Sequence, residues 1–126
     1  MNDMMSKSIQ KSKPAPTTDT NRVFLGRVPF EQGFHFNLAL GRYTGITANN
    51  MSEFAEKIKT IPVEAIAFHF QRDDYQKWFR NVIGDYELAS QIDQLKKWPS
   101  WASEEDLRKA LVKVVQNRLR ELQVKL

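Results

Sequence analysis

The chain has 126 residues, of which 41% are hydrophobic and 27% charged, and its formal net charge at pH 7 is +4. This length predicts one domain with a modest hydrophobic core. Because the sequence contains no cysteine, disulfides, thiolate metal ligands, cysteine nucleophiles and iron–sulfur clusters are excluded. Only two histidines are present, so we also expect no metal site and no cofactor.

Residues 1–22 are rich in Ser, Lys, Thr, Asp, Asn and Pro and offer almost nothing to bury. Such a composition cannot offset the entropy lost on ordering, so we predict a disordered basic tail and a single globular helical domain over residues 23–126. The tail has four basic and two acidic side chains, and its net +2 is half of the total. With no apolar signal region and no apolar run long enough for a membrane span, we expect a cytoplasmic protein.

Apolar and polar residues alternate over residues 34–40, and this period of two predicts a half-buried strand. The segment around Phe24 is its candidate partner in a short hairpin. Residues 41–45, with the sequence Gly-Arg-Tyr-Thr-Gly, predict a turn or loop.

From Asn50 onward the hydrophobic period becomes helical. Capping residues and a proline suited to a first turn predict where successive helices begin. These are Asn50 with Glu53, Pro62, Asp73 with Gln76, Asp85, and Ser103 with Asp106. Gly84 predicts a helix end, and the last helix is predicted to be the longest. The expected fold is therefore mainly α, a compact bundle of four to five helices with a short N-terminal β element.

The apolar stripes of these elements predict the core, because apolar residues three and four apart share one face of a helix. We expect the core to include Phe34, Phe36, Phe54, Ile58, Ile66, Phe70, Trp78, Leu88, Ile92, Leu111 and Val115.

Residues 68–78 follow the pattern Phe-His-x-x-Arg-x-Asp-Tyr-x-x-Trp, and residues 84–89 follow Gly-Asp-x-x-Leu-Ala. With these motifs the chain resembles a small uncharacterised domain family of archaea and bacteria. The resemblance extends from Phe34 to about Leu122 and omits the tail. Since no activity is established for that family, the resemblance implies domain limits and a mostly helical fold but no reaction.

One group of residues, His69, Arg72, Asp73 and Asp74, could carry chemistry. Asp73 lies four residues after His69 and could hold its imidazole. A histidine oriented by a carboxylate is the usual general base, so His69 with Asp73 or Asp74 is the candidate catalytic pair. No nucleophile accompanies the pair in the sequence. We therefore favour a structural His69, with a locally paired Arg72 and with Asp73 or Asp74 as the cap of the following helix.

Two further features could bind a partner. Trp98 and Trp101 flank a proline in a connector, where they either fill a gap between the last two helices or form an exposed anchor for a protein. On the last helix, Lys109, Lys113 and Arg120 lie on one face opposite the apolar stripe. Such a line could follow phosphates or could be an ordinary solvated helix face.

We therefore expect a non-enzymatic accessory or binding module with a protein partner, for which Arg72, Trp98 and Trp101 are candidate contacts. The alternative is a small basic protein associated with nucleic acid or the ribosome, which would bind through the tail and the last helix. An enzyme that uses His69 as acid or base is the third hypothesis. No membrane association is expected.

The tail should be dispensable for folding, because no apolar anchor precedes Val23. A chain that begins at Arg22 should unfold thermally within a few degrees of the full-length protein when both are followed by circular dichroism. A large loss of stability in the shorter chain would mean that the tail packs on the body.

Overall fold

The computed structural model describes residues 23–97 and 103–124. Within these residues a two-stranded sheet is followed by five α-helices, so the mainly α fold predicted from the sequence is confirmed. The elements are β1 (Phe34–Asn37), β2 (Tyr43–Ala48), α1 (Met51–Lys57), α2 (Val63–Gln71), α3 (Asp74–Trp78), α4 (Tyr86–Leu95) and α5 (Glu104–Val124). A 3-10 turn, Phe30–Gln32, precedes β1, and a π-helical segment, Phe79–Ile83, joins α3 to α4. The predicted tail lies outside the described residues.

The sheet differs from its prediction in both its partner strand and its turn. β1 pairs antiparallel with β2, and Phe34 lies opposite Ala48. The expected hairpin with the segment around Phe24 is wrong, because the Phe24 amide donates instead to the carbonyl of Ile83, at 2.8 Å. The turn expected over residues 41–45 is correct only at its start, since β2 begins at Tyr43.

The conformation of β2 explains why its sequence resembled a loop. Gly45 has a φ of +85°, a left-handed conformation that favours glycine, and β2 is bulged there, because Thr44 and Gly45 lie between the pairs Phe36–Ile46 and Asn37–Tyr43. The β-branched residues Thr44, Ile46 and Thr47 supply the strand preference that the two glycines obscured. The turn itself lies just before β2, where Gly41 has a φ of +75°.

Three of the predicted N-caps are confirmed by the hydrogen bonds that their side chains accept from backbone amides. The side-chain oxygen of Asn50 accepts from the amide of Glu53 at 2.7 Å. Asp85 and Ser103 make the equivalent bonds at the starts of α4 and α5, each at 3.1 Å. Gly84, with a φ of +82°, ends the π-helical segment as expected.

Asp73 is not the side-chain cap that the sequence predicted. It precedes α3 with a φ of +62°, in the left-handed region, and its carboxylate accepts no backbone amide of that helix, only the side-chain amide of Gln76 at 3.4 Å. The carboxylate instead accepts from Nζ of Lys96, 2.7 Å away. Because an N-cap residue normally has an extended backbone, this conformation accounts for the missing cap bond.

The core lies between the sheet and the helices, and every residue predicted for it is buried. At its centre the rings of Phe34 and Tyr75 stack with centroids 5.3 Å apart. Phe54 contacts both Phe34 and Trp78, at 5.3 and 5.5 Å. The hydroxyl of the buried Tyr75 donates to the carbonyl of Ile66 at 2.9 Å, so its one polar group is satisfied.

A buried ion pair joins α5 to the start of α4. Arg118 is 4% exposed, and its Nε lies 3.0 and 3.2 Å from the two carboxylate oxygens of Asp85. The same carboxylate caps α4, and Arg118 also donates from Nη1 to Glu121 at 3.1 Å. The side chain of Asp85 therefore fixes both the beginning of α4 and, through Arg118, the rotation of α5 about its axis. The sequence analysis did not single out Arg118.

Replacing Arg118 should be strongly destabilising, because Asp85 would keep a buried charge without its partner. We expect Arg118→Met to lower the free energy of unfolding by about 3–5 kcal/mol, measured by urea denaturation. The double variant Asp85→Ser with Arg118→Met should recover part of this loss, since serine still caps α4 and no buried charge remains. A loss below about 1 kcal/mol in Arg118→Met would contradict the prediction.

Candidate functional site

His69 lies in the last turn of α2 and is 4% exposed. Its Nδ1 is 2.8 Å from Oδ2 of Asp74, the first residue of α3. The expectation that Asp73 could hold the imidazole is therefore wrong, because the left-handed backbone of Asp73 turns its carboxylate to Lys96 instead. Asp74, the other candidate, takes that place.

The second nitrogen of the His69 ring is also occupied. The backbone amide of Asn37, in β1, donates to Nε2 at 2.9 Å. An accepting Nε2 carries no proton, so the proton is on Nδ1 and is donated to Asp74. With both nitrogens bonded inside the fold, neither is directed to a substrate. This bonding supports the structural interpretation of His69.

Burial lowers the pKa of His69 below its ordinary value of about 6.5, although the hydrogen bond and the charge of Asp74 oppose the change. The ring is enclosed by aromatic neighbours, with the centroid of Phe34 at 4.8 Å and that of Tyr75 at 5.9 Å. Burial in this apolar setting therefore outweighs the effect of the carboxylate and keeps the imidazole neutral.

Arg72 shares Asp74 with His69. Its Nε donates to Oδ2 of Asp74 at 3.1 Å, and its guanidinium lies 5.1 Å from the centroid of the Phe68 ring. The side chain is about half exposed, so this contact between α2 and α3 lies at the surface. The other predicted binding residues in the connector, Trp98 and Trp101, lie outside the described residues.

The predicted basic line on α5 lines a groove of about 360 Å³. The described residues that line it are Lys59, Arg108, Lys109, Val112, Lys113, Gln116, Asn117 and Arg120. Five of them are basic and none is acidic. We call this surface the basic groove.

Packing of α5 explains how the basic groove forms. Leu107, Leu111 and Val115 are buried, so the opposite face of the helix is directed outward. Nη1 of Arg108 donates to the carbonyl of Ile58 at 3.0 Å, which brings Lys59, just after α1, beside α5. The sequence analysis missed Lys59 and Arg108, because only the contact between α1 and α5 adds them to the line.

The cations of the basic groove differ in how they are compensated. Arg108 is held by both carboxylate oxygens of Glu105, at 2.9 and 3.2 Å, and Lys59 pairs with Glu56 at 3.2 Å. The pairing of Glu105 with Lys109 that the four-residue spacing suggests is not formed. Lys109 and Lys113 make no ion pair with any described residue. These two exposed lysines therefore supply the least compensated charge of the groove.

Arg120 is the last basic residue of the groove along α5. Its Nη1 donates to Oδ1 of Asn117 at 2.8 Å, a neutral partner that orients the guanidinium and leaves its charge uncompensated. Residues 23–126 as a whole carry only +2 of the total charge of +4, since residues 1–22 carry the other +2. The basic groove thus concentrates positive charge on a body that is nearly neutral.

Other kinds of site have less support in residues 23–97 and 103–124. No group of three or more His, Asp and Glu side chains there could hold a metal ion. Among the helices of the same ranges, none combines the length and the apolar character that a bilayer span requires.

Comparison with known proteins identifies a family and no activity. A family model described as "Family of unknown function (DUF5752)" matches residues 29–125. No curated protein and no solved structure matches the chain. The match covers the sheet and all five helices, including the basic groove.

Because of His69, the free energy of unfolding should decrease as the pH is lowered from about 7 to about 5. The unfolded imidazole binds a proton near pH 6.5, whereas the pKa of the folded one is lower, so protons bind preferentially to the unfolded chain as the pH falls through this window. His69→Gln should show a flatter pH dependence in urea denaturation. Equal pH dependence in the parent and in His69→Gln would contradict the prediction.

Proposed function

We propose that this chain, which belongs to the family of unknown function DUF5752, is a non-enzymatic module that binds nucleic acid in the basic groove. The observation that carries the proposal is the composition of that groove, with five basic side chains and no acidic one among the described residues that line it. A surface of this kind attracts polyanions and gains free energy from the release of their counterions.

The spacing of the cations suits a phosphate backbone. Lys109, Lys113 and Arg120 are on one continuous helix, and at 1.5 Å per residue their row spans about 16 Å. Phosphates follow one another by about 3.4 Å of axis along a strand, so the row extends over roughly five of them. Several phosphates can therefore be contacted without bending α5.

The lining of the groove argues against a protein in the same place. Val112 is its one apolar member, and no aromatic ring lines it among the described residues. The centres of protein interfaces are rich in aromatic and apolar side chains and poor in lysine. Binding of a protein through Trp98 and Trp101 stays a prediction, as does the cytoplasmic location.

The non-enzymatic part of the proposal is supported by the bonding of His69. Asn37 and Asp74 occupy its two ring nitrogens, so a substrate could reach neither without breaking a bond of the fold. A general base needs a free nitrogen within hydrogen-bond reach of the proton that it removes.

Reversing the charge of the groove should abolish nucleic-acid binding. Lys109→Glu, Lys113→Glu and Arg120→Glu together would change the formal charge from +4 to −2, because each reversal removes two units. We expect affinity for a labelled mixed-sequence oligonucleotide, single-stranded or annealed, to fall about a hundredfold or more in fluorescence anisotropy. The fold should be retained, since all three side chains are exposed.

The matched control is Arg42→Glu, Lys77→Glu and Lys97→Glu, which makes the same change of charge at exposed positions outside the groove. Its affinity should fall far less. Equal losses in the two triple variants would mean that net charge, not the groove, controls binding. Groove-dependent binding of poly-glutamate as tight as that of the oligonucleotide would also overturn the proposal, in favour of an acidic protein.

A further inference from the structure

We infer that the basic groove takes the phosphate backbone of a double helix and discriminates against a single strand. The inference rests on the proposed function and concerns which form of nucleic acid the groove accepts. It follows from three properties of the described lining: the absence of rings, the rigidity of the charged row, and the small supply of groups that could read bases.

Proteins that bind single strands compensate for ordering a flexible chain by stacking its bases on aromatic side chains. The described lining of the groove holds no aromatic ring. A single strand laid along α5 would therefore lose conformational freedom and keep its bases in water. A duplex arrives already ordered, with its bases stacked inside and its phosphates on the outside.

The row of cations formed by Lys109, Lys113 and Arg120 is also carried on an ordered backbone. α5 is one helix of 21 residues, and Arg118 and Arg108 fasten it to Asp85 and to the carbonyl of Ile58. The cations on its outer face are thereby held at fixed intervals. A row of cations on an ordered helix complements a backbone whose phosphates are also at fixed intervals, because neither backbone has to be ordered on binding. The duplex has the higher charge density and thus releases more counterions.

Two amides, Gln116 and Asn117, lie between the cations and could in principle contact base edges. The carbonyl oxygen of Asn117 already accepts from Arg120, so Asn117 cannot make the two-bond contact that reads adenine without releasing it. With one of the two amides engaged in this way, we expect the contacts of the groove to be mainly with phosphates and binding to depend little on sequence.

A single strand could instead stack its bases on exposed aromatic rings, which lie outside the basic groove. Phe30 and Tyr43 are 60% and 46% exposed and flank the ring of His35 on the outer face of the sheet. The centroids of Phe30 and His35 are 4.7 Å apart, and Thr47 bonds to His35 at 2.7 Å and also to the Tyr43 hydroxyl. None of these residues lines the basic groove, so a test can separate the two surfaces.

The test compares one labelled mixed-sequence oligonucleotide of about 20 nucleotides in three forms: DNA duplex, RNA duplex and single strand. Affinity of the full-length protein is measured by anisotropy over a range of salt concentrations. We expect at least one duplex to bind at least about tenfold more tightly than the single strand, and the preferred duplex identifies the source of the backbone. Each phosphate contact should contribute about −0.9 to the slope of log K against log salt for DNA duplex.

Two variants locate the contact. Lys109→Gln with Lys113→Gln removes two cations and should make the duplex slope shallower by about 1.8, whereas Arg42→Gln with Lys77→Gln should leave it unchanged. A single strand bound as tightly as either duplex would overturn the inference. If that binding is lost in the Lys109 and Lys113 variant, the groove still binds nucleic acid and only the duplex inference fails. If it is lost in Phe30→Ala with Tyr43→Ala and duplex binding does not depend on the lysines, the proposed function fails as well.

Discussion

The two hydrogen bonds of the His69 imidazole connect the sheet to the helices, and much of the fold depends on them. Nε2 accepts a hydrogen bond from the backbone amide of Asn37 in β1, and Nδ1 donates one to the carboxylate of Asp74 at the start of α3. A neutral ring with one donor and one acceptor is required, because a protonated imidazole would turn Nε2 into a second donor facing an amide. Burial among Phe34 and its aromatic neighbours keeps the ring in that neutral form. The aromatic core and the polar link therefore support each other.

A second polar link, between Arg118 and Asp85, has the corresponding role for α5. It is buried, and the carboxylate also caps α4, so α5 cannot rotate about its axis without leaving the buried charge of Asp85 without its Arg118 partner. The outward face of α5 is fixed by this constraint, and with it the direction of Lys109 and Lys113. The basic groove is thus a consequence of how the helix is held from the inside.

The sequence predicted the features that depend on local interactions. The caps at Asn50 and Asp85 depend on residues three positions apart, and the core residues on periodicity within one element, so both could be predicted. The cap at Asp73 failed because a residue 23 positions away, Lys96, binds its carboxylate and its backbone is left-handed. The hairpin failed because Gly41 and Gly45 obscured a bulged strand that begins between them, at Tyr43.

The basic groove likewise combines features that local sequence predicts with features that depend on distant contacts. Periodicity on one helix was enough to predict that Lys109, Lys113 and Arg120 share a face, but Lys59 joins them only through the bond from Arg108 to the end of α1. Net charge was a poor guide, since residues 23–126 carry only +2 and half of the total lies in the first 22 residues. What matters for a polyanion is the field at one surface, where charges within a Debye length of about 8 Å act together. On a nearly neutral body, cations aligned along one helix therefore give a stronger local field than the total charge suggests.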